Sequence, residues 1–164
     1  MPQQVVINGV EFARRSESVS GELPVAGFAR LRDRLVEAVG SVRYQLTGRL
    51  GLRREALLHL QVTGVLPVQC QRCLERLDHP LAVDVLFELL PGSAELTQEE
   101  VEDDSRDYLP VDGDIDVLDL IEDELILAVP VAPCHDDCLL PAPRPKVEPG
   151  SPFDVLAALK QKLH

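Results

Sequence analysis

The feature that most constrains this chain is a pair of alternating stretches around a short turn. Val42, Tyr44 and Leu46 alternate with Arg43, Gln45 and Thr47; after Gly51 to Glu55, Ala56, Leu58, Leu60 and Val62 alternate with Leu57, His59, Gln61 and Thr63. Period two places each apolar set on one side of an extended strand, so the two runs predict an antiparallel hairpin with one buried face. A third run, Leu81, Val83, Val85, Phe87 and Leu89 with Asp84 and Glu88 opposite, extends this to a meander.

A sheet with one apolar face needs a cover, and the best candidate begins at Asp116. Asp116 reads as an N-cap, Asp119 suits the first turn, and Val117, Leu118, Ile121, Leu125 and Ala128 share one face. Leu120, Ile126 and Leu127 make this helix apolar on more than one side, as expected of a central core helix that ends at Pro130 and Pro133. Phe28, Leu31, Leu35 and Val39 recur at helical spacing between Gly27 and Gly40, predicting an additional N-terminal amphipathic helix. Val5 to Phe12 reads as a short strand, Arg14 to Val25 as irregular or extended, and Tyr108 to Ile115 as a further strand. The expected class is α+β: an antiparallel β meander packed against one central helix. Residues 1–140 are expected to form a single domain, residues 141–150 a Pro-rich linker, and residues 151–164 a short C-terminal helix capped by Ser151 with Pro152 at its first position. With 164 residues, 45% of them hydrophobic, the chain is long enough for one real core and too short for two.

The net charge of −12 argues against generic affinity for phosphate backbones, DNA or anionic membranes. It is concentrated: residues 95–124 hold 14 acids and a single base, Arg106, and residues 95–107 read as a solvated acidic loop or a docking arm for a basic protein. Elsewhere Arg30, Arg32, Arg34, Arg43, Arg49, Arg53, Arg54, Arg72 and Arg76 could form a local phosphate-binding patch if they share a face. Asp33, Glu37, Glu55 and Glu75 would blunt it, leaving a solvated surface. Six aromatics and no Trp disfavour single-strand recognition by an aromatic sheet. The N-terminus lacks the basic-then-apolar pattern of a signal peptide, and no run is long and apolar enough to span a membrane, so a cytoplasmic protein is expected.

Four cysteines in such a compartment point to metal or redox chemistry before disulfides. Cys70 and Cys73 stand in Cys-Gln-Arg-Cys, and Cys134 and Cys138 in Cys-His-Asp-Asp-Cys. Two such loops can complete a tetrahedral zinc site, with His135 competing with Cys134 for the fourth position beside Cys70, Cys73 and Cys138. The alternatives are a Cys70/Cys73 dithiol, which would want a thioredoxin-like βαβ context that is absent here, and plain loop thiols. No nucleophile elbow, phosphate-binding Gly-rich loop or H-E-x-x-H occurs. Glu122, Asp123 and Glu124 are consecutive, point in different directions around a helix, and read as a solvated edge. His59, on the polar side of its strand, is assigned no role.

The order Cys-Gln-Arg-Cys-Leu at 70–74, an acidic insertion, Asp116 to Pro130, Pro-Cys-His-Asp-Asp-Cys at 133–138 and Ser-Pro-Phe-Asp-Val-Leu-Ala-Ala-Leu-Lys at 151–160 resembles the YceD family of large ribosomal RNA subunit accumulation proteins. Glu11 to Val25 looks like its proteobacterial branch. The resemblance implies a bacterial cytoplasmic protein needed for synthesis, processing or stability of 23S rRNA, with no assigned catalytic activity. It also implies that Cys70, Cys73, His135 and Cys138 stand at family positions. The expected function is therefore a non-enzymatic factor in large-subunit biogenesis with a structural zinc. Its partner is expected to be 23S rRNA, a large-subunit ribosomal protein or a processing factor. For direct RNA contact the candidates are Arg43, Arg49, Arg53, Arg54, Arg72 and Arg76. A protein-binding adaptor and a dithiol redox protein are the competing readings.

Overall fold

The computed structural model describes residues 5–98, 102 and 105–138. A five-stranded sheet runs in the order β2-β3-β4-β5-β6, from β2 (Ser18–Pro24), β3 (Ser41–Leu50), β4 (Ala56–Gln69), β5 (Arg76–Pro91) and β6 (Asp107–Val111). A two-stranded sheet pairs β1 (Val6–Asn8) with β7 (Asp114–Asp116), and the helices are α1 (Gly9–Arg14) and α2 (Val117–Ala128). The class is α+β, mostly strand, with one main helix.

The alternating runs form the expected hairpin: Tyr44 opposes Val62, Leu46 opposes Leu60, and Leu50 with Ala56 closes the turn. β2 to β5 make an antiparallel meander. Inward positions follow the period along β4, from Leu58, Leu60 and Val62 through Leu66 and Val68 to Cys70, all buried. β4 and β5 pair from Leu57 with Glu88 to Gln69 with Arg76, whereas β3 pairs with β4 only as far as Gly64. The β4–β5 hairpin therefore projects past β3 as an arm, with the Cys-Gln-Arg-Cys turn at its tip.

The stretch expected as one strand over Tyr108 to Ile115 is two, in different sheets. β6 runs parallel to β5, Phe87 opposite Asp107 and Pro91 opposite Val111, and a parallel pair requires a crossover connection. The chain between Pro91 and Asp107, which includes the acid-rich segment, is that connection. Gly92 N–H donates to Asp112 Oδ1 at 2.9 Å where it leaves β5.

Further local expectations are corrected. Val5 to Phe12 is a strand only over Val6–Asn8; Asn8 then accepts the Glu11 N–H and starts α1. The helix lies directly on β3 because Gly48 has no side chain: a Cβ there would stand 2.7 Å from Phe12 Cδ1 and 2.8 Å from Ala13 Cα. The stretch Arg14 to Val25, read as irregular or extended, is extended over β2.

The predicted helix between Gly27 and Gly40 is instead two 3₁₀ turns, Val25–Gly27 and Leu31–Arg34. Phe28 and Leu31 are buried as an amphipathic helix would bury them, but Leu35 bridges to Val68 and Val36 N–H donates to the Pro67 carbonyl at 2.8 Å. The backbone groups a helix would use internally bind the arm. Val36 and Val39 remain exposed.

Asp116 caps α2 as expected, accepting the Leu118 N–H at 2.9 Å. Val117, Leu120, Ile121 and Leu125 are buried, while Leu127 is 76% exposed, so the helix buries one stripe rather than several. It shares the cover of the sheet's core face with α1 and the 3₁₀ turns instead of serving as its single central helix.

Glu122 is not on a solvated edge. It is only 4% exposed, and its carboxylate accepts the Arg30 N–H at 2.6 Å, the Leu31 N–H at 2.9 Å and Arg30 Nε–H at 3.1 Å. Arg30 also reaches Asp123 at 2.5 Å. The 3₁₀ turn at Leu31 is thus capped from α2, which satisfies a buried carboxylate with three donors. The linker at 141–150 and the helix expected at 151–164 lie outside the described residues, as does part of the acidic loop.

Candidate metal centre

Two elements deliver the ligands. At the arm's tip, Cys70 N–H donates to the Glu75 carbonyl at 2.9 Å and Leu74 N–H to the Cys70 carbonyl at 3.0 Å, closing the turn; Leu74 takes a positive φ of 67° to allow it. Beyond α2, Pro130 and Pro133 cannot continue a helix. The Pro133 carbonyl accepts the Gln71 N–H at 2.8 Å, which holds the second Cys-containing loop against the first.

Cys70, Cys73, His135 and Cys138 converge there, their ligand atoms all within 4.8 Å of one another. Cys70 Sγ and Cys138 Sγ are 3.6 Å apart, and Cys73 Sγ and His135 Nδ1 are 3.4 Å apart. A tetrahedral zinc with bonds of about 2.3 Å to sulfur and 2.0 Å to nitrogen sets ligand edges of about 3.8 and 3.5 Å. Cys134 is exposed and outside this group. Of the two residues that competed for the fourth position, the fold brings His135 to the others.

The ring of His135 is oriented by its other nitrogen. Nε2 lies 3.1 Å from the Arg76 carbonyl, which can only accept, so Nε2 carries the proton and Nδ1 presents a lone pair toward the sulfurs. Fixing one imidazole nitrogen on a backbone carbonyl is the usual outer support of a metal-binding histidine. Sequence reasoning missed this contact, since a backbone carbonyl carries no residue signature.

The thiols are electrostatically unlike one another. Burial opposes ionisation of Cys70, but backbone N–H groups of Cys73, His135 and Arg72, with the Cys73 side chain, bring it down to about 5. Burial, then hydrogen bonds with Cys70 and Cys73, push Cys138 up to about 11. Three sulfurs this close resist sharing negative charge, and a divalent cation is what stabilises all three as thiolates. The donor set fits a closed three-Cys, one-His site with no position left for substrate.

The chain matches the family described as "Large ribosomal RNA subunit accumulation protein YceD" over residues 58–160, more than half its length. It belongs to the YceD family. The matched stretch contains the arm, α2 and all four converging ligands. A Haemophilus influenzae protein named "Large ribosomal RNA subunit accumulation protein YceD" is 25% identical over 172 residues, covering 96% of each chain. No solved structure matches. Among the described residues no helix is long and apolar enough to cross a membrane.

In this YceD chain the arginines singled out as RNA-contact candidates do not share one patch. Arg72 and Arg76 flank the cysteine–histidine cluster: Arg72 Nη1 lies 3.4 Å from the Cys138 carbonyl, and Arg76 pairs with Asp78 and Glu37 at 2.8 and 3.2 Å. Arg43 and Arg49 point from the outward side of β3, and Arg53 and Arg54 sit in the turn after it. The turn and the centre lie at opposite ends of β4, about 40 Å apart at strand rise.

Proposed function

We propose that this chain is a non-enzymatic cytoplasmic factor that supports synthesis, processing or stability of 23S rRNA during large-subunit biogenesis. We further propose that Cys70, Cys73, His135 and Cys138 hold a structural zinc ion. The observation that carries the first part is the family match spanning both cysteine pairs, with a relative of that name aligned along nearly the whole chain. Its partners are 23S rRNA or a large-subunit protein or processing factor. The zinc reading is supported by three sulfurs and an oriented imidazole nitrogen converging between two distant loops.

The dithiol alternative is less well supported. A redox cysteine combines a lowered pKa with access to its substrate, and Cys70, the thiol with the lowered pKa, is fully buried. Zinc at this site supplies cross-linking: it ties the tip of the arm to the chain leaving α2. Depleting the protein is expected to lower the ratio of 23S to 16S rRNA. An unchanged ratio on full depletion overturns the functional reading.

A further inference from the structure

Resting on the rRNA reading, we propose that the outward face of the five-stranded sheet, ending in the cleft beside the 51–55 turn, is the surface that holds RNA phosphates and ribose hydroxyls. The opposite face is covered by α1, α2 and the 3₁₀ turns. The outward rows carry hydrogen-bonding groups of mixed charge: Gln45 opposite Gln61, Arg43 between Thr63 and Glu22, and Asp84 opposite Gln61. Such groups suit the 2′-hydroxyl and phosphate oxygens of RNA without requiring the aromatic platform this chain lacks.

The charge in the cleft decides the sign of its ligand. The cleft has a volume of about 820 Å³ and is lined by Arg49, Arg53, Arg106, Glu55 and Glu88 among others. Both carboxylates are engaged: Arg106 lies 2.9 Å from Glu88 and 3.8 Å from Glu55, and Glu55 accepts the Arg53 N–H at 2.7 Å. Among the described residues no carboxylate stands within ion-pair distance of Arg43, Arg49 or Arg53. On β3 and its turn Arg43, Arg49 and Arg53 thus carry positive charge outside any ion pair, while the exposed acids of the same face, Glu22 and Asp84, stand on β2 and β5 away from the cleft and are bonded to Ser41 and to His59 and Gln61. Arg43 and Arg49 share the outward side of β3 about 20 Å apart, room for several nucleotides along one strand. A locally positive site on a chain of net charge −12 holds anions only where geometry assists, which favours a specific RNA contact over non-specific adhesion.

The test is binding of the full-length protein to in vitro transcribed 23S rRNA across a salt series. The Arg49→Ala/Arg53→Ala variant is expected to bind at least about tenfold more weakly. It should also lower the slope of log affinity against log salt by about 1.4, two phosphate contacts at about 0.7 each on single-stranded RNA. Arg32→Ala/Arg34→Ala, in the 3₁₀ turn on the covered side, is expected to change neither, and unchanged melting shows that both variants fold. Retained affinity and slope in Arg49→Ala/Arg53→Ala, with the wild type binding RNA, overturns this surface while leaving the rRNA role standing. If the wild type captures no 23S rRNA in vitro or on crosslinking in cells, yet depletion still lowers 23S, the surface is overturned in favour of contact with a protein.

Discussion

The proton on His135 Nε2 is the smallest feature on which the proposed metal centre depends. Donation to the Arg76 carbonyl leaves Nδ1 as the ligand atom, 3.4 Å from Cys73 Sγ, while the neighbouring Cys134 stays outside. The protein as isolated is expected to carry about one zinc per chain. Cys134→Ser should keep it, and Cys73→Ser or His135→Ala should lose it with a fall in melting temperature; metal analysis beside thermal unfolding reads both. Glu122 is the second decisive residue. Replacing it with Ala strands the Arg30 and Leu31 N–H groups and is expected to cost about 2–4 kcal/mol in denaturant unfolding, with Glu122→Gln costing less because its amide oxygen still accepts. The four cysteines and His135 were legible in the sequence because metal ligands are rare residue types in tell-tale spacing. The choice between Cys134 and His135 could not be read from spacing and came only from the family resemblance, since physically it turns on a backbone carbonyl 59 residues away. Glu122 was hidden for a similar reason: one acid of three in a row is buried only because Arg30 and Leu31 arrive from another part of the chain.

Elements were legible wherever the pattern was local. The β3–β4 hairpin and β5 follow from alternation alone, and the same parity carried along β4 accounts for the burial of Cys70. The stretch from Gly27 to Gly40 failed because Phe28, Leu31 and Leu35 satisfy a helical spacing that two 3₁₀ turns and a β-bridge also satisfy, and tertiary hydrogen bonds from the arm decided the outcome. α1 has six residues, too few for a periodic signal, and depends on the bare backbone of Gly48. Across the β4–β5 ladder, hydrogen bonds from His59 and then Gln61 hold the Asp84 carboxyl below its usual range. A carboxyl depressed in the folded state contributes stability that is complete above its unfolded value, about 4, and is lost as pH falls through the lower folded value. The melting-temperature difference between wild type and Asp84→Asn is therefore expected to be present near neutrality and to shrink through the acidic range. Thermal scans from pH 7 downward check it, with metal release cancelling between the two proteins.

On the scale of the whole molecule, a net charge of −12 first weighs against any nucleic-acid role. The fold places much of the acidity in the crossover from β5 to β6 and spreads the candidate arginines, Arg72 and Arg76 at the cysteine cluster, Arg43 midway along the sheet, and Arg49, Arg53 and Arg54 at the far end of β4. Topology of that kind depends on a parallel edge pair that no local pattern announces. The proposed centre adds a cross-link to the hydrogen bonds that join the arm to the loop after α2, so its integrity should govern whether the protein supports 23S rRNA. The most direct test is the 23S to 16S ratio in depleted cells supplied with each variant at equal protein level. Wild type and Cys134→Ser are expected to restore the ratio, and Cys73→Ser and His135→Ala to leave it low; full restoration by Cys73→Ser and His135→Ala would contradict the account.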